Sequence, residues 1–362
     1  MHSSPSPASS AIAQGVAAPQ HGPRPLPLFL NILWRETEGD PMLRQKALAG
    51  LRRYQEAIRP RPAPAPACAA QAGPARMLRF GEDKGRHPVV FIPSLINPPA
   101  VLDLSEQRSM LRHMAAAGHD AYLVDWGAPG VEDAALGLDG HVTERLLPLL
   151  AALPRPPILV GYCLGGSLAL GAVGAIAARA IATIAAPWRF DGFRAEDRAL
   201  VAKLWHDARP VCERLNYVPM EVLQSGFWAM DPARTIRKYA AFADMEPGSQ
   251  GENAFLTVED WANQGAPLTF AAGRDLFDLF YADNATGQGR WRVKGRQVTP
   301  ETIGIPSLSI VSTTDRIVPA AAGPVLAEER RLALGHVGMV VGGRACETLW
   351  QPLSLWLSSV GG

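Results

Sequence analysis

Cysteine is scarce in these 362 residues: Cys68, Cys163, Cys212 and Cys346 are widely spaced and never form a CxxC pair. Zinc sites and disulfide scaffolds need closer pairing, so the spacing counts against both, and a reducing cytoplasm suits such thiols. An excess of charge is missing as well, with 35 Lys and Arg against 34 Asp and Glu. That balance leaves no broad basic field for a phosphate backbone, and no nucleic-acid partner is expected. The start of the chain lacks the basic residues and compact apolar run of a secretory signal. Material for a large core is abundant, however. Hydrophobic residues make up 48% and charged residues 19%, which excludes a wholly disordered or fibrous chain.

Met1 to Pro27 is rich in Ser, Pro, Ala and Gln and reads as a disordered tail. Residues 28–76 read as a short helical segment followed by a linker. Within them Leu43, Ala47, Leu51, Tyr54 and Ile58 recur at three- and four-residue steps, as along one helical face. The alternating prolines from Pro60 to Pro66 then form a stiff spacer. A compact domain is expected over residues 77–362. Its apolar segments alternate between strand and helix: strands at Val89–Ile92, Ala121–Val124, Ile158–Val160, Ile181–Ile184 and Ser307–Val311, with helices at Ser109–Ala117, Val142–Leu153 and from Leu164 onward. Such alternation implies an α/β fold whose mainly parallel sheet has helices on both faces. Between about 188 and 305 the pattern turns irregular and aromatic, as an inserted lid or cap would.

The 21 residues from Ile158 to Ala178 carry no charge and are long enough to span a bilayer. Pro156 and Pro157 before them, and Gly161, Gly165 and Gly166 within them, favour a buried strand, a turn and a core helix instead. No transmembrane segment is expected.

That same stretch carries the chemistry. Gly161-Tyr162-Cys163-Leu164-Gly165 has the G-x-S-x-G pattern of a nucleophile elbow with cysteine in the serine position. The nucleophile sits on a strained turn, so the positions two before and two after it must be small. The helix start behind Cys163 favours a thiolate, and the N–H of Leu164 is placed to meet a developing oxyanion. A glycine-flanked cysteine that merely packs a tight turn is the plainer alternative. In this architecture acid and histidine follow the nucleophile in that order. His336, on a glycine-bounded turn, is the one histidine late in the chain, and Asp315 follows the apolar run Ser309-Ile310-Val311. Asp275, Asp278 and Asp283 compete for the acid's role but fall in the expected lid, and a loop aspartate often only caps its own turn.

Taken together, these motifs resemble polyhydroxyalkanoate synthases, polyester polymerases with an α/β-hydrolase fold. The likeness runs from about Phe80 to Leu357. It rests on Phe91–Asn97 with Val101–Leu104, Tyr122–Gly127, Gly161–Gly166, Thr314–Pro319 and Gly335–Gly338. It implies Cys163, Asp315 and His336 as catalytic residues, with oxyanion donors from the backbone of Leu164 and Ile96. The implied substrate is 3-hydroxyacyl-CoA, with 3-hydroxybutyryl-CoA as the expected member, and the likeness implies no resident cofactor and no metal. His336 takes the thiol proton; the acceptor hydroxyl is deprotonated by His336 directly or with help from Asp315. Implied partners are the growing polyester, a granule surface in the cytoplasm, and either a second copy or a different synthase subunit, since the length is that of short catalytic subunits. Arg316 stands where the family often has histidine, and Gly342-Gly343 where an Asn is common. A thioesterase or acyltransferase with the same triad is the alternative enzyme, and a non-catalytic granule-binding protein the alternative of another class.

Overall fold

A computed structural model of the chain describes residues 22–59 and 63–361. Most of the expected tail, and Pro60, Arg61 and Pro62 of the proline run, lie outside the described residues.

The core is an eight-stranded sheet: β1 (Ala67–Ala72), β2 (Ala75–Arg79), β3 (Val89–Ile92), β4 (Ala121–Asp125), β5 (Ile158–Tyr162), β6 (Ala180–Ile184), β7 (Ser307–Ser312) and β8 (Glu328–Leu332). Their spatial order is β1-β2-β4-β3-β5-β6-β7-β8. The β1–β2 and β2–β4 pairings are antiparallel. All pairings from β4 onward are parallel. Strands β3, β5, β6 and β7 are buried at every position, which is why they carry no charge and read as mainly apolar runs. Alternate side chains feed two cores. Val90, Ile92, Leu159 and Ile181 join one with Leu164 and Leu168. Val89, Phe91, Val160 and Ile310 join the other with Leu111, Leu353 and Trp356.

Helices contribute to this covering on both faces, among them α3 (Met110–Ala116), α4 (Leu164–Val173) and, at the far end of the chain, a helix over Gln351–Gly361. Val142, Leu146 and Leu150 of the helical stretch 138–151 join the first core. The uncharged 158–178 stretch is thus divided between β5 and α4 at the centre of the sheet. No helix among the described residues is long and apolar enough to cross a membrane.

The structure departs from the sequence reading at three places. The sheet begins at Ala67, ahead of the boundary expected at 77, because β1 and β2 form an antiparallel hairpin on its edge. The single helical stretch expected over 28–58 is two helices, α1 (Leu26–Glu36) and α2 (Pro41–Glu56), so the last residues of the supposed tail are helical. Asp40 caps α2 by accepting the Leu43 N–H at 2.9 Å, and Pro41 supplies a preset first turn. Of the expected face, Ala47, Leu51 and Tyr54 are buried, whereas Ile58 is 92% exposed beyond the helix end.

Nor are these helices a detached preface. They pack on a helix of the inserted region through Phe29, Leu33, Tyr54, Tyr239 and Phe242. The approach is close enough that a Cβ on Gly50 would lie 1.8 Å from the Tyr239 carbonyl oxygen. The insertion itself, between β6 and β7, is regular rather than irregular. It holds α5 (Ala195–Leu215), α6 (Met220–Met230), α7 (Pro232–Ala243) and α8 (Gln250–Ala262). Its aromatics are largely structural: Trp188, Trp205, Phe280 and Trp291 are buried, and Trp205 stacks on Phe277 at 4.7 Å. Completing the order along the chain, the Gln351–Gly361 helix is α9.

Candidate active site

The turn between β5 and α4 holds Cys163 at φ 55°, ψ −134°, a backbone conformation that a residue with a Cβ adopts only when its surroundings enforce it. Two hydrogen bonds do so. The Cys163 N–H donates to the Ile184 carbonyl at 2.9 Å, and the Cys163 carbonyl accepts from the Gly166 N–H at 2.8 Å. The glycines are needed for contact. A Cβ on Gly161 would lie 2.3 Å from the Gly166 Cα, and one on Gly165 would lie 2.1 Å from the Ile92 carbonyl oxygen. The strand-end and helix-start backbones therefore touch, and the cysteine between them is pushed outward, half-buried rather than sealed.

The loops after β7 and β8 bring the other two residues to it. Asp315 is both a turn cap and an orienting group. Its Oδ1 accepts the N–H groups of Ile317 and Val318, at 2.7 and 3.1 Å, and its Oδ2 meets His336 Nδ1 at 2.6 Å. With Nδ1 engaged, Nε2 is the nitrogen left for Cys163, whose charge acts on the ring. The structure thus brings Cys163, Asp315 and His336 together, with the Asp315–His336 hydrogen bond fixing the ring. The competing acids work elsewhere. Asp275 accepts the Leu138 N–H, while Asp278 accepts from Trp205 Nε1 and pairs with Arg209.

Burial alone would lower the pKa of His336. The negative charge of Cys163, the hydrogen bonds to Asp315 and Cys163, and the charge of Asp315 together outweigh it, so the imidazole is pushed up to about 10. Removal of the Cys163 charge in Cys163→Ala is therefore expected to bring the His336 pKa down, read by the pH dependence of its ring NMR signals; an unmoved titration would refute the coupling. The sign for stability follows from the same shift. A folded-state pKa above the unfolded value of 6.5 contributes stability that is complete below about 6.5 and is lost as pH rises through about 10.

Leu164, as the first residue of α4, carries one of the N–H groups that a helix leaves without an intrahelical acceptor. Ile96 differs. Its N–H donates to Ser94 Oγ at 3.1 Å, so that hydrogen is already engaged. Two tyrosines escaped the sequence reading. Tyr162, adjacent to the cysteine, lies tilted against the His336 ring with centroids 5.2 Å apart and donates its hydroxyl to the His336 carbonyl at 3.3 Å, so it braces the histidine turn. Tyr281, from the insertion, has its phenol pKa pushed well up, first by burial and then by the charges of Cys163 and Asp197. It stays protonated and feels the charge of Cys163. Position beside the elbow was the available signal for Tyr162; nothing local marked Tyr281.

Among curated proteins, the chain is similar to three named poly(3-hydroxyalkanoate) polymerase subunit PhaC. The one from Haloferax mediterranei is 30% identical over 75% of this chain and 58% of its own length. The one from Haloarcula marismortui is 28% identical over 76% and 62% respectively. The one from Allochromatium vinosum is 27% identical over 75% and 80%. The chain therefore spans about three fifths of the length of the first two of these relatives. The profile described as "Alpha/beta hydrolase family" matches residues 89–345, which include the whole elbow and the turns that carry Asp315 and His336. With the mostly parallel sheet, that match over more than half of its length places the chain in the alpha/beta hydrolase family.

Proposed function

We propose that the chain polymerises 3-hydroxyacyl-CoA, 3-hydroxybutyryl-CoA in the first instance, into a polyester with release of CoA. The observation that carries this reading is a cysteine, rather than a serine, aligned with a buried His–Asp pair at a nucleophile elbow. The similarity to PhaC polymerase subunits supports the same substrate class.

The chemistry follows from the groups present. The Cys163 sulfur, its proton held by His336, attacks the carbonyl carbon of the acyl-CoA thioester. The C–S bond to CoA then breaks, and the CoA thiolate takes that proton. One thioester has replaced another at little energetic cost, and the acyl group remains activated on Cys163. In the second step the 3-hydroxyl of another acyl unit loses its proton to His336, directly or with Asp315 assisting. Its oxygen attacks the Cys163 thioester, forms the ester and frees the thiol. The Leu164 N–H faces the negative charge of both tetrahedral intermediates. Water competes with the hydroxyl as acceptor, and the burial of Asp315 and His336 limits its access. The thioester arrives activated, so no resident cofactor is required. An insoluble product would keep the protein at a granule surface.

Purified protein incubated with 3-hydroxybutyryl-CoA tests the proposal. Release of CoA together with solvent-extractable polymer is the expected result. CoA release with only free 3-hydroxybutyrate would refute polymerisation and leave a thioesterase with the same triad.

A further inference from the structure

A cleft of about 550 Å³ opens where α7 of the insertion meets the loop after β7, lined by Asp231, Arg234, Arg237, Lys238, Thr314 and Arg316. Four of these six residues are cationic, on a chain whose net charge is only +1. Arg234, Arg237 and Lys238 lie three and four residues apart and so share one face of α7. The single acid is used internally. Asp231 Oδ1 caps α7 by accepting the Arg234 N–H at 3.1 Å, and its Oδ2 holds Arg316 at 2.8 Å. Lys238 is tied to Glu259 at 2.6 Å. The guanidinium groups of Arg234 and Arg237 have no acidic partner among the described residues, and both side chains face solvent.

We propose that this cleft receives the phosphate groups of a CoA thioester. The inference rests on the reading of the substrate as an acyl-CoA. Its placement is what favours that ligand over an arbitrary anion. Thr314 and Arg316 are the immediate neighbours of Asp315, whose carboxylate holds His336, so one turn forms both the cleft wall and the triad's acid. CoA carries its phosphates at the far end of a flexible pantetheine arm. It therefore needs a cationic site beside, but not within, the place where its thioester reacts. Two unpaired guanidinium forks match phosphate oxygens by paired, charge-assisted hydrogen bonds. Arg316 and Lys238 are held by Asp231 and Glu259, so the uncompensated charge of the cleft is that of Arg234 and Arg237. In so open a cleft the attraction is sensitive to salt.

Calorimetric titration of the full chain and of the double variant R234Q/R237Q with CoA, pantetheine and inorganic phosphate is the test. The wild-type protein is expected to bind CoA more tightly than pantetheine. Loss of two charge-assisted contacts is expected to weaken CoA about tenfold or more and to leave pantetheine unchanged. The proposal is overturned if the variant binds CoA as the wild type does, if CoA and pantetheine weaken alike, or if inorganic phosphate displaces CoA at equal concentration. Binding needs no turnover, which separates the two claims. Arginine-dependent CoA binding without polymer formation keeps the cleft and refutes the polymerase reading; polymer formation unaffected by the variant, with unchanged CoA affinity, refutes the cleft alone.

Discussion

Cys163→Ala is expected to lower CoA release from 3-hydroxybutyryl-CoA by about 10³-fold or more, the scale of loss when a covalent nucleophile is removed. The fold should tolerate the change. Alanine keeps the Cβ that already sits at φ 55°, and the sulfur it removes is on a half-buried side chain, not one packed in the centre of a core. Steady-state release and a thermal melt on the same preparation check both halves. Turnover near the wild-type rate in a well-folded variant would end the case for an acyl-enzyme. Alanine at Cys68, which is exposed and far from the elbow in sequence, serves as the control and should leave activity unchanged.

The second large effect concerns backbone rather than chemistry. In Gly165→Ala the new Cβ would meet the carbonyl oxygens of Ile92 and Pro93 at 2.1 and 2.4 Å. Neither contact is the end of a flexible side chain, so α4 must move away from β3. Overpacking of this kind costs about 1–3 kcal/mol or more. Activity should fall too, because the displaced segment begins one residue before Gly165 with the Leu164 N–H and is hinged on Cys163. Gly174→Ala is the matched control, since its Cβ would have nothing within 4 Å. A Gly165→Ala protein that melts with the wild type and keeps full activity would show that the elbow is looser than these contacts imply.

The residues that could be read in advance share a physical property. β3, β5, β6 and β7 are covered on both faces, so apolar side chains dominate them, with small Ser and Thr at the remaining buried positions of β6 and β7. Cys163 was legible because the elbow demands small residues at fixed offsets, and Asp315 because a polar turn must follow an apolar strand. β8 was not legible. Its sequence Glu-Glu-Arg-Arg-Leu is that of an exposed edge strand, where the parallel ladder with β7 supplies the pairing and solvent takes the side chains. β1 was hidden for the same reason, with mostly small or polar residues exposed on the opposite edge. The helices of the insertion were obscured by their aromatics. These had suggested an irregular lid, but most of them pack against one another and against the sheet core.

The order of the central elements, the small residues around a cysteine, and the presence of one aspartate and one histidine at the right turns are properties of the chain as written, since each depends on neighbours within a few residues. Which groups meet is another matter. Tyr162 against the imidazole, the Ile96 N–H spent on Ser94, Tyr281 within reach of the Cys163 charge, and unpaired arginines of α7 beside the Asp315 turn all join residues through packing of the insertion and the loops. Side chains far apart along a sequence leave no periodic trace in it, so only the folded sheet, by bringing the ends of its strands to one edge, decided those contacts.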